Sequence, residues 1–252
     1  FSLLSVSVGL VVSQGVMVMM LHGVGMAGLS FVLPLALAWL LALTYACSFS
    51  ELALMIPRAG SLCSYTEVAL GHFPAIVATF SGYIVVAMFA LSAELLLLNL
   101  VISSLFPALV LPPMALAMGI LVLFTLLNLL NIDIFARLQS ALAVVMIVTL
   151  VLLGVCAIGS DRATPVSALM TQQSAAPMGW GVIVLVAAAI WGFVGAEFVC
   201  PLVEQTRQPQ RNIPRSMMVG LTVIFQTVQM YGLGSLIVLP REKLVNNNMH
   251  HY

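Results

Sequence analysis

Long apolar runs dominate this sequence and leave a small choice of folds. A helix needs about 20 apolar residues to cross a hydrocarbon core of about 30 Å, and seven runs between polar breaks are that long. Only 6% of the 252 residues are charged, whereas soluble domains carry about 25%. The spans predicted from these runs cover residues 3–28, 29–56, 74–106, 111–130, 134–159, 179–203 and 213–239.

The solvent then decides the fold class. Hydrocarbon offers no water to backbone amides, so a spanning segment must be a helix or part of a closed barrel. These runs are too continuous for the alternating pattern of barrel strands. We therefore predict an all-α polytopic membrane protein surrounded by lipid. Eight basic residues balance eight acidic ones, which leaves no clustered positive charge for binding nucleic acid.

The basic residues also indicate an orientation. Cytoplasmic loops carry an excess of Lys and Arg, and the two sides of the predicted spans differ in this respect. A cytoplasmic N-terminus, in a plasma membrane or a bacterial inner membrane, is favoured. It places five basic residues inside (Arg58, Arg137, Arg207, Arg211 and Arg215) and three outside (Arg162, Arg241 and Lys243).

The sixth predicted span contains groups that lipid does not favour. Gly192 and Gly195 lie in its middle, Glu197 follows, and the stretch ends in a basic loop with two prolines. Glycine costs about 1 kcal/mol relative to alanine inside a helix, and unwound backbone at membrane depth survives where it lines a cavity or is buried in protein. Close helix packing through small residues is the alternative. Glu197 favours a binding site, because intramembrane acids usually face a polar pathway.

The first predicted span is interrupted as well, by Ser13, Gln14 and Gly15. Serine and glutamine could hydrogen-bond a neighbouring helix. Transporters with inverted repeats, however, build a midplane site from two such interruptions. On that reading residues 1–159 form a first repeat of five helices, 160–178 form an external loop, and 179–252 begin a second repeat.

Three stretches carry a family resemblance. VVSQGV, residues 11–16, is similar to a glycine-serine-glycine break, although Ser13 and Gln14 replace the usual glycine and serine. SELALMIPRAGSLCSYTEVALG, residues 50–71, is similar to a signature between helices two and three, and EQTRQPQRNIPR, residues 204–215, to a loop after helix six. In this order they resemble the amino acid, polyamine and organocation transporter superfamily. That resemblance implies a leucine-transporter-like fold and an amino acid permease.

The resemblance also implies where substrate binds. Helix one restarts after its break, so amides there suit a substrate carboxylate, and helix six stops before its break, so carbonyls there suit an ammonium group. An amino acid or a polyamine is the implied substrate. The implied binding residues are Ser13, Gln14, Gly15 and Val16 on helix one, and Ile190, Trp191, Gly192 and Gly195 on helix six.

Other residues receive gating or coupling roles. Trp191 matches an aromatic that contacts substrate in the related arginine and agmatine exchanger, an antiporter, although an aromatic there could simply pack. Glu197 matches an acid implicated there in gating. Glu94, in the third span, could relay protons, bind a cationic substrate or make a structural hydrogen bond. Arg58, flanked by Glu51 and Glu67, is predicted to lie in a cytoplasmic gate.

The coupling mechanism stays open. Some proton-dependent relatives carry a lysine in helix five where this sequence has Met146, and a thioether cannot replace an ammonium group. Sodium or proton coupling, exchange and facilitated movement all remain, as do an accessory subunit and a homo-oligomer. No Ser-His-acid or metal-ligand spacing surrounds the four histidines, so we predict no cofactor and no enzyme activity.

A seven-helix receptor or a channel is the alternative function, although the charge count opposes a receptor and no filter-like repeat supports a channel. Family members also have helices eight and ten, which support the site. We therefore expect the 252 residues alone not to transport, and uptake by a purified protein of this length would contradict that.

Overall fold

A computed structural model describes residues 2–107, 112–130, 132–160, 164, 169, 180–239 and 244. The backbone in this part of the chain is helical and contains no strand, which confirms the all-α class. The helices are α1 Ser2–Val11, α2 Gln14–Ala27, α3 Val32–Met55, α4 Leu62–Leu70, α5 His72–Thr79, α6 Val86–Leu105, α7 Pro113–Leu130, α8 Ile132–Ile158, α9 Trp180–Ile190 and α10 Pro209–Val238.

Short segments of other helix types connect several of these elements. Gly28–Phe31 is a 3₁₀ turn between α2 and α3, and Phe80–Val85 is a π-helical segment that joins α5 to α6. After α9 the chain forms the 3₁₀ segments Trp191–Phe193 and Ala196–Gln205. Most of the predicted external loop, 160–178, and of the tail after residue 239 lies outside the described residues.

Five helical stretches of the described chain are long and apolar enough to cross a membrane: Gln14–Met55, His72–Leu105, Arg137–Ile158, Gly181–Gln205 and Pro209–Val238. The first has 42 residues, about 63 Å as a straight helix and twice a hydrocarbon core of about 30 Å. Gly28, at φ 59°, interrupts it, so it holds parts of the first two predicted spans. The fourth predicted span contains a shorter apolar helix, Met114–Leu127, so the count of seven stays a prediction.

The loop predicted between the sixth and seventh spans is too long. Helix α10 begins at Pro209, four residues before the predicted start, and Pro214 lies inside it. Proline suits the first helical position, where no intrahelical acceptor is available for an N–H group. The connection after the preceding 3₁₀ segment therefore shrinks to residues 206–208.

Helix α10 lies at the centre of the described structure and packs against α1, α3 and α8. Its buried side recurs every three or four residues, the spacing of one helix face. Glycines bring α10 close to α8, because a Cβ built on Gly234 would lie 2.8 Å from the Cα of Gly154. Helix α1 also packs on the segment Ala196–Gln205. The buried hydrophobic residues of α10 are Ile213, Met217, Leu221, Ile224, Val228 and Leu236.

Candidate substrate-binding site

The first interruption separates α1 from α2. Helix α1 ends at Val11 and α2 begins at Gln14. Ser13 is the N-cap of α2: its φ and ψ are −118° and 169°, and its Oγ accepts from the Val16 N–H at 3.4 Å. The Ser13 carbonyl accepts from the Met17 N–H at 3.3 Å. A serine cap of this kind satisfies one of the amides that a helix start leaves without a partner.

A carboxylate from another helix contacts this helix start. The Gly15 N–H donates to Glu94 Oε1 at 3.0 Å, and Glu94 lies on α6, 79 residues further along the chain. A Cβ added to Gly15 would lie 2.9 Å from the same oxygen, so a side chain at this position would displace the Glu94 carboxylate. Of the alternatives that the sequence left open for Glu94, the structure contains a hydrogen bond to the backbone of α2.

The second interruption follows α9. Val194 is extended, with φ −73° and ψ 134°, and Gly195 is left-handed, with φ 119°. The left-handed region is costly for residues with a side chain, so this turn requires glycine at 195. The Val194 N–H donates to the Trp191 carbonyl at 3.3 Å. That carbonyl, expected to be free, thus already accepts one local hydrogen bond.

The side chain of Glu197 forms a hydrogen bond with the backbone of this second turn. Its side chain is 8% exposed, and Oε2 accepts from the Gly195 N–H at 2.9 Å. The hydroxyl of Tyr45, on α3, donates to the Phe193 carbonyl at 2.6 Å and lies 3.5 Å from Glu197 Oε2. Sequence reasoning missed Tyr45, because one tyrosine in an apolar helix is typical of packing. Its hydroxyl ties α3 to the turn.

The two interruptions lie against each other. A Cβ built on Gly192 would lie 3.4 Å from Cγ1 of Val16. The first turn of α2 and the 3₁₀ turn after α9 therefore lie next to each other, which brings together the residues predicted around 13–16 and around 190–195. Trp191 is less enclosed than its neighbours, with a side chain 42% exposed.

An apolar cavity borders the first interruption. Its volume is about 300 Å³, at the lower end of the range of about 300–1,000 Å³ for ligand sites. Gly15 lines it, so the cavity lies next to the amide that holds Glu94. The described residues contain no group of three or more His, Cys, Asp or Glu that could hold a metal ion. The other lining residues are Val18, Met19, His22, Leu97 and Leu244.

Arg58 lies apart from this site. It is exposed, three residues after the end of α3, and its N–H donates to the Ile56 carbonyl at 2.7 Å. Oε1 of Glu67, one of the two acids that flank Arg58 in the sequence, lies 2.8 Å from His72 Nδ1. Within the described chain, the guanidinium of Arg58 therefore forms no ion pair with Glu51 or Glu67.

Fold and site together define an all-α integral membrane protein in which two interrupted helical stretches meet. Residues 1–251 match the amino acid permease family. The chain belongs to that family, which confirms the resemblance drawn from the sequence motifs.

Individual relatives agree with this assignment. The chain is 26% identical over 220 residues to the aromatic amino acid transport protein AroP of Salmonella typhimurium, a match that covers 84% of this chain and 47% of that protein. It is 25% identical over 239 residues to an uncharacterized transporter of Mycobacterium bovis, covering 95% of this chain and 52% of that protein. The chain spans about half the length of the curated relatives it matches.

Proposed function

We propose that the protein is a permease that moves amino acids or related organic amines across a membrane by alternating access. Substrate binds where the two interruptions meet. The proximity of Gly192 to Val16 supports this proposal most directly, because it brings a helix start and a helix end to one place. The proposed contact residues are Ser13, Gln14, Gly15, Val16, Ile190, Trp191, Gly192 and Gly195.

The chemistry of the two ends suits a substrate amine. Backbone carbonyls have two lone pairs, so the Trp191 carbonyl can accept from an ammonium group while it keeps its bond to Val194. At the start of α2, the positive end of the helix dipole favours a negatively charged group. A polar ligand can thereby satisfy backbone groups that would be costly to leave unpaired at membrane depth.

Glu197 and Arg58 are the proposed gating residues. Glu197 holds the turn at Gly195 and lies near Tyr45, so a change in either contact would alter the connection between α9 and the segment that follows. Arg58 follows α3 on the side that we assign to the cytoplasm. Met146 is partly buried and packs on the core. We propose no ammonium group at that position, which leaves sodium coupling, proton coupling by other groups, exchange and facilitated movement.

Counterflow in proteoliposomes tests the function. Vesicles with the intact protein, preloaded with unlabelled phenylalanine or 2-phenylethylamine, should accumulate the labelled compound from outside. Gly192→Leu should abolish accumulation, because the side chain would fill the space next to Val16. Gly119→Leu is the matched control, since a Cβ at Gly119 meets nothing within 4 Å. Counterflow that survives Gly192→Leu, or that is absent for every amino acid and amine in the wild-type protein, would contradict the proposal.

A further inference from the structure

Two backbone N–H groups at the start of α2 already donate hydrogen bonds to side chains of the protein itself. An N–H group has one hydrogen and makes one strong bond. Gly15 gives its hydrogen to Glu94 and Val16 gives its hydrogen to Ser13. Two of the amides at the start of α2, where the resemblance implies that a substrate carboxylate binds, therefore already have acceptors. A ligand carboxylate would have to displace the carboxylate of Glu94 to reach Gly15.

The same region of the described structure also contains hydrogen-bond acceptors that have no donor. Within the described residues, Glu94 Oε2 takes part in no hydrogen bond, and no basic side chain forms an ion pair with Glu94. Gln14 Oε1, on the residue before Gly15, is buried with no hydrogen-bond partner in the described structure. A buried acceptor without a partner costs free energy that a donating ligand would recover. Both observations indicate a ligand that brings hydrogen-bond donors and positive charge.

From this arrangement we propose that Glu94 determines specificity as a built-in carboxylate. It fills the subsite that a substrate carboxylate would use, so the site takes organic monoamines that lack an α-carboxylate. Their ammonium group contacts Glu94, and their apolar body lies in the adjoining cavity. The inference rests on the proposed permease function and narrows its substrate class.

The cavity supports a monoamine over a diamine. It opens next to Gly15, the residue whose amide holds Glu94. Val18, Met19 and Leu97 give it apolar walls, and none of its lining residues is acidic. A second ammonium group buried there would lose hydration without a counter-charge. An aromatic or branched aliphatic group would instead gain from apolar burial.

Matched ligand pairs test this proposal in the intact protein. Phenylalanine and 2-phenylethylamine differ by one carboxylate, as do leucine and isoamylamine. In competition against labelled 2-phenylethylamine, each amine should bind the wild-type protein at least about tenfold more tightly than its amino acid, about 1.4 kcal/mol. Glu94→Ala frees the Gly15 amide and removes the negative charge, so it should reverse the order within each pair. Glu51→Ala, at an exposed acid of α3, is the control and should leave the order unchanged.

A second variant separates the role of the charge from that of the fold. Glu94→Gln keeps an oxygen acceptor for the Gly15 N–H and removes the charge, so amine affinity should fall about tenfold without a gain for the amino acid. A wild-type preference for the amino acids, or an order that Glu94→Ala leaves unchanged, would overturn this inference while the permease function stands. Absence of binding and counterflow for both members of each pair would instead overturn the proposed function.

Discussion

The two interruptions use one chemical device over very different distances in the chain. In each, a carboxylate oxygen accepts from the N–H of a glycine: Glu94 from Gly15 at 3.0 Å and Glu197 from Gly195 at 2.9 Å. Glu197 lies two residues from its partner, whereas Glu94 comes from a different helix, 79 residues away. A local carboxylate stabilises a turn, but a distant one can leave the amide without unfolding it. We therefore assign to the Glu197–Gly195 hydrogen bond a role mainly in stabilising the fold, and to the Glu94–Gly15 hydrogen bond a role in binding the ligand.

The backbone conformations of the two interruptions also differ, and the second is the more demanding of the two. The first interruption uses an ordinary serine cap with extended angles at Ser13, which most residues can adopt. The second uses the left-handed angle of Gly195 and a hydroxyl from α3 on the Phe193 carbonyl. Substitutions should therefore affect stability more at the second interruption than at the first.

The largest loss is expected for Gly195→Val. A β-branched residue at φ 119° is strained, by about 3 kcal/mol at the upper end for such positions, and the site is buried. Reversible unfolding in detergent would measure the change. Gly119→Val is the control: Gly119 lies on α7, and a Cβ there meets nothing within 4 Å. It should change the free energy of unfolding by less than about 0.5 kcal/mol. Equal effects of the two substitutions would remove the claim that the second turn depends on glycine.

An intermediate loss is expected for Tyr45→Phe. The substitution leaves the Phe193 carbonyl without its 2.6 Å donor, at a cost of about 1–2 kcal/mol for a buried acceptor. Tyr231→Phe is the control, since its hydroxyl has no hydrogen bond within the described residues, and it should be nearly neutral. Thermal unfolding of both variants gives the comparison. If Tyr45→Phe were as stable as the wild type, the tie between α3 and the second turn would be unimportant.

The smallest loss is expected for Ser13→Ala. The bond from the Val16 N–H to Ser13 Oγ is long, at 3.4 Å, so we expect about 0.5–1 kcal/mol, the lower part of the range for N-cap substitutions. Ser92→Ala is the control, because within the described residues the Ser92 hydroxyl donates to the Met88 carbonyl of its own helix and to no other group. A loss for Ser13→Ala above that of Gly195→Val would reverse the order of the two interruptions.

Several features could be predicted from the sequence because they depend on local composition. Apolar runs gave the helical class, and Ser13, Gln14 and Gly15 marked the place where α1 ends and α2 begins. The partner of Gly15 could not be predicted, because Glu94 is 79 residues away and its hydrogen bond depends on how α6 packs. Tyr45 was missed because one tyrosine in an apolar helix is typical of packing, and its partner, the Phe193 carbonyl, is 148 residues away. The start of α10 at Pro209 could have been inferred from the preference of proline for a first helical position.

Disulfide cross-linking tests most directly whether the two interruptions form one substrate site. In the intact protein with its native cysteines replaced, Val16→Cys and Gly192→Cys would place two thiols close enough to bond, because a Cβ at position 192 would lie 3.4 Å from Val16 Cγ1. We predict rapid cross-linking under mild oxidation, loss of counterflow, and protection by 2-phenylethylamine. Val16→Cys with Gly119→Cys should not cross-link. If the first pair failed to cross-link, or if no substrate slowed its cross-linking, the account of a shared site would be contradicted.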